Sequence, residues 1–341
     1  MKGNDLHLRK ILLDDSKNYY KTNMHCHSTF SDGNMTTADL KMHYAEKGYS
    51  AVVFSDHEHL IDHSYLTDNN FLAVTACEVA VKEFKEISTL VKRDMKVAHF
   101  NFIAKEPSNV DTPCYSSVYD HYIKDFYRDK IVHSRGEYAR EYSAEGINDM
   151  IRKANEKGFL VQYNHPRWSL ENACDYLKYE GLWAVEIYNH SANLWGIYEY
   201  DINAYDDFLR SGQRIACTMG DDNHEISHTC GGYTMINAAE LNYTSFIEAL
   251  EKHNFYSSNG PEIKGLFVEN GMAYLKFRGG EYAVMSTKGR RTERKMAKSP
   301  DSVNEVSFKI LECDGYVRFD VVDKYGRRAN TNAYFIDELP V

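Results

Sequence analysis

No Cys-x-x-Cys pair occurs in this chain, although it holds seven cysteines. They are scattered (Cys26, Cys77, Cys114, Cys174, Cys217, Cys230, Cys313) and odd in number, which fits free thiols in a reducing compartment. A run of about 18 apolar residues, the length a membrane helix needs, is also missing. The opening stretch MKGNDLHLRKILLDD lacks the apolar core of a signal peptide. These absences predict a cytoplasmic location and no membrane partner. Excess basic charge is missing too. A net charge of −10 removes the footprint that binding to a nucleic-acid polymer requires. It leaves room for an anionic substrate, because bound metals reverse the local field. No Gly-x-Gly-x-x-Gly or Walker loop follows the first strand-like run, which disfavours a nucleotide-binding doubly wound sheet. No Gly-x-Ser-x-Gly elbow supplies a serine nucleophile, and no internal repeat is found.

What is present is ordinary in bulk, at 43% hydrophobic and 26% charged residues over 341 positions. That composition suits a soluble chain with one large and one smaller domain. Seven short apolar runs read as buried strands of about five or six residues: KTNMHCH, AVVFSDH, LAVTACE, KVAHFNF, FLVQYNH, AVEIYNH and RIACTMGDDNH. Helical patterns separate several of them. In TTADLKMHYAEKG, Thr36 with Asp39 forms a capping box, Leu40 and Tyr44 share a face, and Gly48 sits at the C-cap. In INDMIRKANEKG, Ile147, Ile151 and Ala154 share a stripe. Strands alternating with helices predict a β/α repeat.

The strand ends carry the chemistry. His25 and His27 lie two apart on a strand and so point to one face. The second run ends in Asp56 and His57, the third in Glu78, and the fourth contains His99. The fifth ends in His165, and the seventh enters Asp221, Asp222 and His224. In a β/α barrel all strand ends open on one face, where catalysis occurs. So many imidazoles and carboxylates delivered there point to a metal site rather than to core packing. Cys26, between the two histidines, points the other way and reads as packing.

Residues 103–145 form a long Tyr-rich insertion, read either as a lid over the strand ends or as a surface helical excursion. From about residue 262 the pattern becomes hairpins. Asn270-Gly271 and Asp314-Gly315 each lie between strand-like runs. The basic stretch 288–298, KGRRTERKMAK, reads as a solvated loop or strand edge. The expected domains are 1–261, carrying the site, and 262–341, a small antiparallel β domain of sandwich type.

The ordered motifs His25-Cys26-His27, Ser31-Asp32-Gly33, Asp56-His57, Glu78, His99, Asn164-His165-Pro166 and Asp222-Asn223-His224 resemble those of the PHP (polymerase and histidinol phosphatase) superfamily of metal-dependent phosphoesterases. The resemblance covers about residues 20–260 and fills nine ligand positions in order. It implies a distorted (β/α)7 barrel, an α/β fold, here with the C-terminal antiparallel β domain appended. It implies two or three divalent ions (Zn, Mn or Fe). His25, His27, Glu78 and Asp222 would hold the first. Glu78 would bridge to a second, completed by His99 and His165. Asp32, His57 and His224 would hold a third.

The activity so implied is hydrolysis of a phosphate ester by a metal-bridging hydroxide. The expected substrate is a small monoester, a nucleotide or an amino-alcohol phosphate. Arg167, two residues after His165, is placed to clamp phosphate. Arg135 and Arg140 in the insertion are weaker candidates. His190 and Asn189 end the sixth strand and face the site as substrate contacts or as supports of the ligands. The remaining eight histidines, among them His59, His63 and His133, read as structural. Tyr115, Tyr119, Tyr122 and Tyr127 could stack on a flat leaving group. Two other readings stay open: a metal-dependent amidohydrolase cleaving a C–N bond, and a non-catalytic metal-binding module. The first usually carries a carbamylated lysine after a middle strand, and no lysine ends strands three to five here. The second would need a closed four-coordinate site.

Nine ligands exceed the capacity of one ion. Protein purified without chelator should therefore carry at least two transition-metal ions per chain by elemental analysis, and one ion or none would contradict the assignment.

Overall fold

The computed structural model describes residues 9–88, 91–134, 136–198 and 200–341, with the backbone alone at 84–88 and 91–95. The chain forms two compact units. One spans Tyr20–Thr234 and Leu241–Ile247; the other takes in the described residues up to Tyr19, Met235–Glu240 and Glu248–Val341. Through residue 220 the strands are β1 (Arg9–Leu13), β2 (Asn18–Cys26), β3 (Ala51–Phe54), β4 (Leu72–Ser88), β5 (Val91–Ala104), β6 (Phe159–Tyr163), β7 (Ala184–Asn189) and β8 (Ala216–Gly220).

In the larger unit β2 to β8 pair in sequence order. β3, β6 and β8 are buried at every residue, as expected of strands covered on both faces. The helix Thr37–Glu46 starts where Thr36 Oγ1 accepts the Asp39 N–H at 3.1 Å and donates to the Asp39 carboxylate at 2.7 Å. It buries Leu40 and Tyr44. The helix Ala144–Glu156 buries Ile147, Met150, Ile151 and Ala154 along one face. At the rim the Asp222 N–H donates to His25 O at 2.9 Å and Cys26 bridges Asn223, so the end of β8 meets the end of β2.

The regular alternation expected of seven β/α units is broken at β5. That strand is antiparallel to both β4 and β6, whereas β2–β3, β3–β4, β6–β7 and β7–β8 are parallel. Only two residues separate β4 from β5. A parallel crossover needs about a dozen or more, so the chain can only reverse. The unit is therefore a mixed sheet, and its longest strands, with 17 and 14 residues in β4 and β5, exceed the expected length. Among the described residues no helix is long and apolar enough to cross a membrane.

The smaller unit faces two antiparallel sheets across one core. β1, Glu262–Glu269, Met272–Arg278 and Asn304–Lys309 form one sheet. Thr292–Met296, Tyr282–Thr287, Tyr316–Val322, Arg328–Thr331 and Phe255–Ser258 follow one another in the other. Leu13, Leu266, Phe277 and Phe308 meet Met285, Phe319 and Val321 between them. Asn270 and Gly271 have φ of 49° and 72°, as a type I′ hairpin turn requires. Asp314-Gly315 is not a hairpin turn. Asn304–Lys309 and Tyr316–Val322 lie in different sheets, and the Asp314 carboxylate accepts the Leu311 N–H at 2.8 Å within the crossing segment. The basic stretch 288–298 is the edge hairpin of its sheet, where Arg291 pairs with Asp314 at 2.6 Å and Arg294 lies over Tyr282 at 3.8 Å.

The unit boundary also differs from a single cut at 261/262. β1 pairs with Glu262–Glu269, and Phe255–Ser258 pairs with Arg328–Thr331. Truncation after residue 260 removes both partners and uncovers Leu12, Leu13 and Tyr256, which are buried in the intact unit. The 1–260 chain should aggregate where the full chain is soluble; a monomeric 1–260 peak in size-exclusion chromatography would contradict this.

Candidate metal centre

All nine expected ligands come together within the larger unit. His25 and His27 share a face of β2, and their Nε2 atoms lie 3.2 Å apart. Glu78 Oε1 is 3.3 Å from His25 Nε2, and Oε2 is 3.3 Å from His27 Nε2. Asp222 Oδ1 lies 3.3 and 3.0 Å from the same two nitrogens. Glu78 Oε1 also approaches His99 Nδ1 at 3.0 Å and His165 Nε2 at 3.2 Å, and Oε2 approaches His57 Nδ1 at 3.2 Å. Asp32 lies 3.5 Å from His57 Nε2, 3.4 Å from His224 Nε2 and 3.8 Å from His27 Nδ1. The nine side chains thus fall into overlapping groups able to hold an ion, His25–His27–Glu78–Asp222, Glu78–His99–His165 and His27–Asp32–His57–His224, and a fourth such group joins His25 and His165 to Glu186.

These spacings have a physical signature. Donor atoms bound about 2.1 Å from one ion are about 3.0 Å apart on an octahedral edge and about 3.4 Å on a tetrahedral one. Hydrogen-bonded pairs would also lie near 3 Å, but would be aligned. Here His57 Nδ1, both ring nitrogens of His99 and Asp222 Oδ1 are buried and make no hydrogen bond, despite those neighbours. Buried polar atoms without partners are rare and costly. Of the atoms here, His57 Nδ1 and His99 Nδ1 lie beside Glu78, and Asp222 Oδ1 lies beside His25 and His27.

The electrostatics agree. Burial disfavours a charged His27, yet the Asp222 and Glu78 carboxylates carry its imidazole up to about 10. Burial by itself would raise the Glu78 and Asp222 carboxyls, yet the surrounding imidazoles hold both well below the usual carboxylate range. The cluster thus favours positive charge among its carboxylates, a role that a divalent cation can fill. His165 and Asp222 take φ of 28° and 50°, a conformation that costs about 1–3 kcal/mol per residue and is held at functional sites by the surrounding structure.

A second tier of residues fixes these side chains. Asn164 Nδ2 donates to Glu78 Oε1 at 2.8 Å and to Asn101 at 3.0 Å. Its own oxygen accepts from Gln162, which accepts from Thr218 at 2.8 Å. Glu186 Oε1 lies 3.2 Å from His25 Nδ1, leaving Nε2 for the cluster. Asn189 Nδ2 donates to Glu186 at 3.1 Å and to Asp222 Oδ2 at 3.0 Å. Asp56 gathers the N–H and hydroxyl groups of Ser28 and Ser31, which shapes the loop bearing Asp32. A Cβ at Gly33 would lie 2.6 Å from His27 O, so only glycine closes that loop. Asp221 turns away and accepts the N–H groups of Cys230, Gly231 and Gly232.

Glu186, Gln162, Asn101 and Thr218 were not singled out from the sequence. Their one signal is a polar side chain inside a short apolar strand, where burial demands a partner.

Several expected contacts fall elsewhere. The cavity at the cluster has a volume of about 420 Å³, and neither Arg167 nor His190 lines it. Arg167 is half-exposed, with Nε 3.9 Å from Asp201, because the residue that turns inward after His165 is Trp168. His190 Nδ1 meets the Tyr188 hydroxyl at 3.1 Å. Asn189, not His190, supports the ligands. Arg135 lies outside the described residues. Arg140 forks onto Glu58 at 2.9 and 2.6 Å, with both side chains 1% exposed, and bonds Ala80 O and Cys114 O. It anchors the insertion and cannot reach a phosphate. Of the four tyrosines Tyr122 lines the cavity, 4.5 Å from the His57 ring, so this part of the insertion borders the site. His228, grouped with the structural histidines, also lines it. Cys26 is buried in the core, away from the cluster.

No family model matches the chain, and no curated relative matches it. Solved structures similar to it include a two-domain protein from Bacteroides vulgatus that contains a predicted PHP-like metal-dependent phosphoesterase, at 14% identity and a TM-score of 0.46 over 98% of this chain and 99% of that one. A candidate metal-dependent phosphoesterase from Bifidobacterium adolescentis matches at 14% identity and a TM-score of 0.37, over 60% of this chain and 87% of that one. An amidohydrolase from Chromobacterium violaceum, solved with bound sulfate, matches at 13% identity and a TM-score of 0.39, over 60% and 88%.

The buried pair gives a test of the corrected role of Arg140. Arg140→Ala strands the Glu58 carboxylate without its cation and should cost about 3–5 kcal/mol in urea unfolding. A change within about 0.5 kcal/mol would mean that Arg140 is a surface group after all.

Proposed function

We propose that the cluster holds two or three divalent metal ions and that the protein hydrolyses a small phosphate monoester. The observation that carries this is the convergence of five buried imidazoles at 3.0–3.3 Å around the Glu78 carboxylate, with His57 Nδ1, His99 Nδ1 and Asp222 Oδ1 left without a hydrogen bond. Three carboxylates, Asp32, Glu78 and Asp222, contribute about −3 to the ligand set. Two divalent ions already outweigh that, which leaves a surplus of positive charge for an anionic substrate.

When bound, the ions supply Lewis acidity toward the phosphoryl oxygens and acidify water at neutral pH. The chain's own residues fix the geometry. Glu78 belongs to two neighbouring groups, which therefore share a side chain. Glu186 and Asn189 orient His25 and Asp222, while Asn164 orients Glu78. In the reaction water adds to phosphorus, the bond from phosphorus to the alcohol oxygen breaks, and that oxygen takes up the proton. Glu78 would hold the bridging position that a carbamylated lysine takes in many amidohydrolases. Among the described residues that line the cavity none is a lysine, so ester hydrolysis is preferred to C–N cleavage.

Glu78→Gln keeps the shape and removes the shared charge. It should lower kcat/KM for p-nitrophenyl phosphate by more than about 100-fold, because even supporting residues of a metal site commonly account for 10–100-fold. Metal content should fall with it, while circular dichroism stays that of the folded chain. Near-normal turnover and metal content in this variant would refute the bridging role.

A further inference from the structure

The cavity has a second wall that the metal ligands do not form. Its volume of about 420 Å³ suits a small molecule. Beyond the ligands it is lined by Tyr122, Trp168, Ala192, Trp195 and Ile197, with Ser191 and His228 as the polar members. Among the described residues no lysine or arginine contributes to this lining. Trp195 is 75% and Trp168 40% exposed, whereas Trp183, away from the cavity, is buried. Two large indoles left open beside a polar cluster forgo burial that their size would otherwise reward. The Trp168 ring lies 5.0 Å from that of His99 and 4.9 Å from that of His165. Trp195 stands 6.4 Å from His228, whose ring is 6.5 Å from that of His224. The indoles thus flank the cluster on different sides.

The polar members form a relay. His228 Nε2 lies 3.1 Å from the Glu225 carboxylate, and Nδ1 lies 3.2 Å from Ser191 Oγ. A carboxylate only accepts, so Nε2 carries the hydrogen. With Nε2 donating, Nδ1 is placed to accept from the Ser191 hydroxyl, which leaves lone pairs of Ser191 Oγ for a donor on a bound molecule.

We infer that this wall receives the leaving group of the ester, and that this group carries a flat, uncharged ring with an N–H or O–H donor facing Ser191. The inference rests on the phosphatase reading above. Indole faces stack on any flat ring. A second phosphate would find no lysine or arginine among the described lining residues. An ammonium would find no carboxylate among the described lining residues beyond the proposed metal ligands.

The test measures kcat/KM for phenyl phosphate, purine nucleoside 5′-monophosphates with and without an exocyclic amino group, propyl phosphate and an amino-alcohol phosphate. Each is run on the wild-type chain, Trp195→Ala and Ser191→Ala. Comparing variants with wild type removes the intrinsic differences between leaving groups. Trp195→Ala should shrink the preference for ring-bearing esters over propyl phosphate about tenfold. Ser191→Ala should shrink the preference for the amino-bearing purine about fivefold. A loss seen with phenyl phosphate places the ring directly on the ester oxygen; a loss seen with the nucleotides places it one sugar away, and either supports the wall. Preferences unchanged in both variants, or a wild-type chain that favours propyl or amino-alcohol phosphate, would overturn it. The phosphate-free nucleoside, titrated by quenching of indole emission, separates the two ideas. Binding that Trp195→Ala abolishes, without turnover of any ester, leaves the wall standing and removes the phosphatase reading. Neither binding nor turnover removes both.

Discussion

The Glu78 carboxylate is the constraint around which the larger unit is built. It is 1% exposed and lies within 3.3 Å of five imidazoles, those of His25, His27, His57, His99 and His165. An isolated buried carboxylate would cost several kcal/mol. Here the cost is offset by neighbours brought in from β2, from the end of β3, from β5 and from the end of β6, so the sheet can close only in a way that delivers all of them. The Asn164 amide and the line through Gln162 to Thr218 satisfy what remains. A half-satisfied network in so dry a place would be worse than an apolar core.

The same constraint explains the irregular sheet. β5 runs against its neighbours, so the residue it brings to the site is not at its C-terminal end. His99 stands opposite Ala80, two residues beyond Glu78 along β4. In an antiparallel pair a mid-strand residue can sit at the rim of the adjacent strand. The long β4 and β5 continue past that point, while the insertion returns to the site through Tyr122 and is pinned by the Arg140–Glu58 pair.

Under the proposed function, mixed His and carboxylate ligation would set the reaction class more firmly than the substrate. Metals and acidified water can serve many esters, and specificity has to come from the rest of the cavity. Its apolar and aromatic wall, free of lysine and arginine among the described residues, is a feature of tertiary packing. Trp168, Trp195 and Ser191 come from separate segments that meet only in the folded chain.

The local order of the chain was legible because it rests on short-range rules. The capping box at Thr36, the His25–x–His27 alternation and the Asn270-Gly271 turn follow from spacing and backbone geometry alone. The ligand motifs could be placed at strand ends because periodicity locates strands. What spacing could not reveal was direction and partnership. The reversal at β5, the pairing of β1 with Glu262–Glu269 and the separation of Asp314-Gly315 from any hairpin all depend on long-range pairing. The same holds for single side chains. An arginine near a site reads as a phosphate clamp until the fold supplies Glu58 for Arg140 and turns Arg167 outward. A glutamate within an apolar strand, like Glu186, shows its role only when His25 stands across from it. Sequence determines which groups need a partner, since burial and valence are local properties; tertiary structure decides which partner each receives, since that depends on chain segments far apart in sequence.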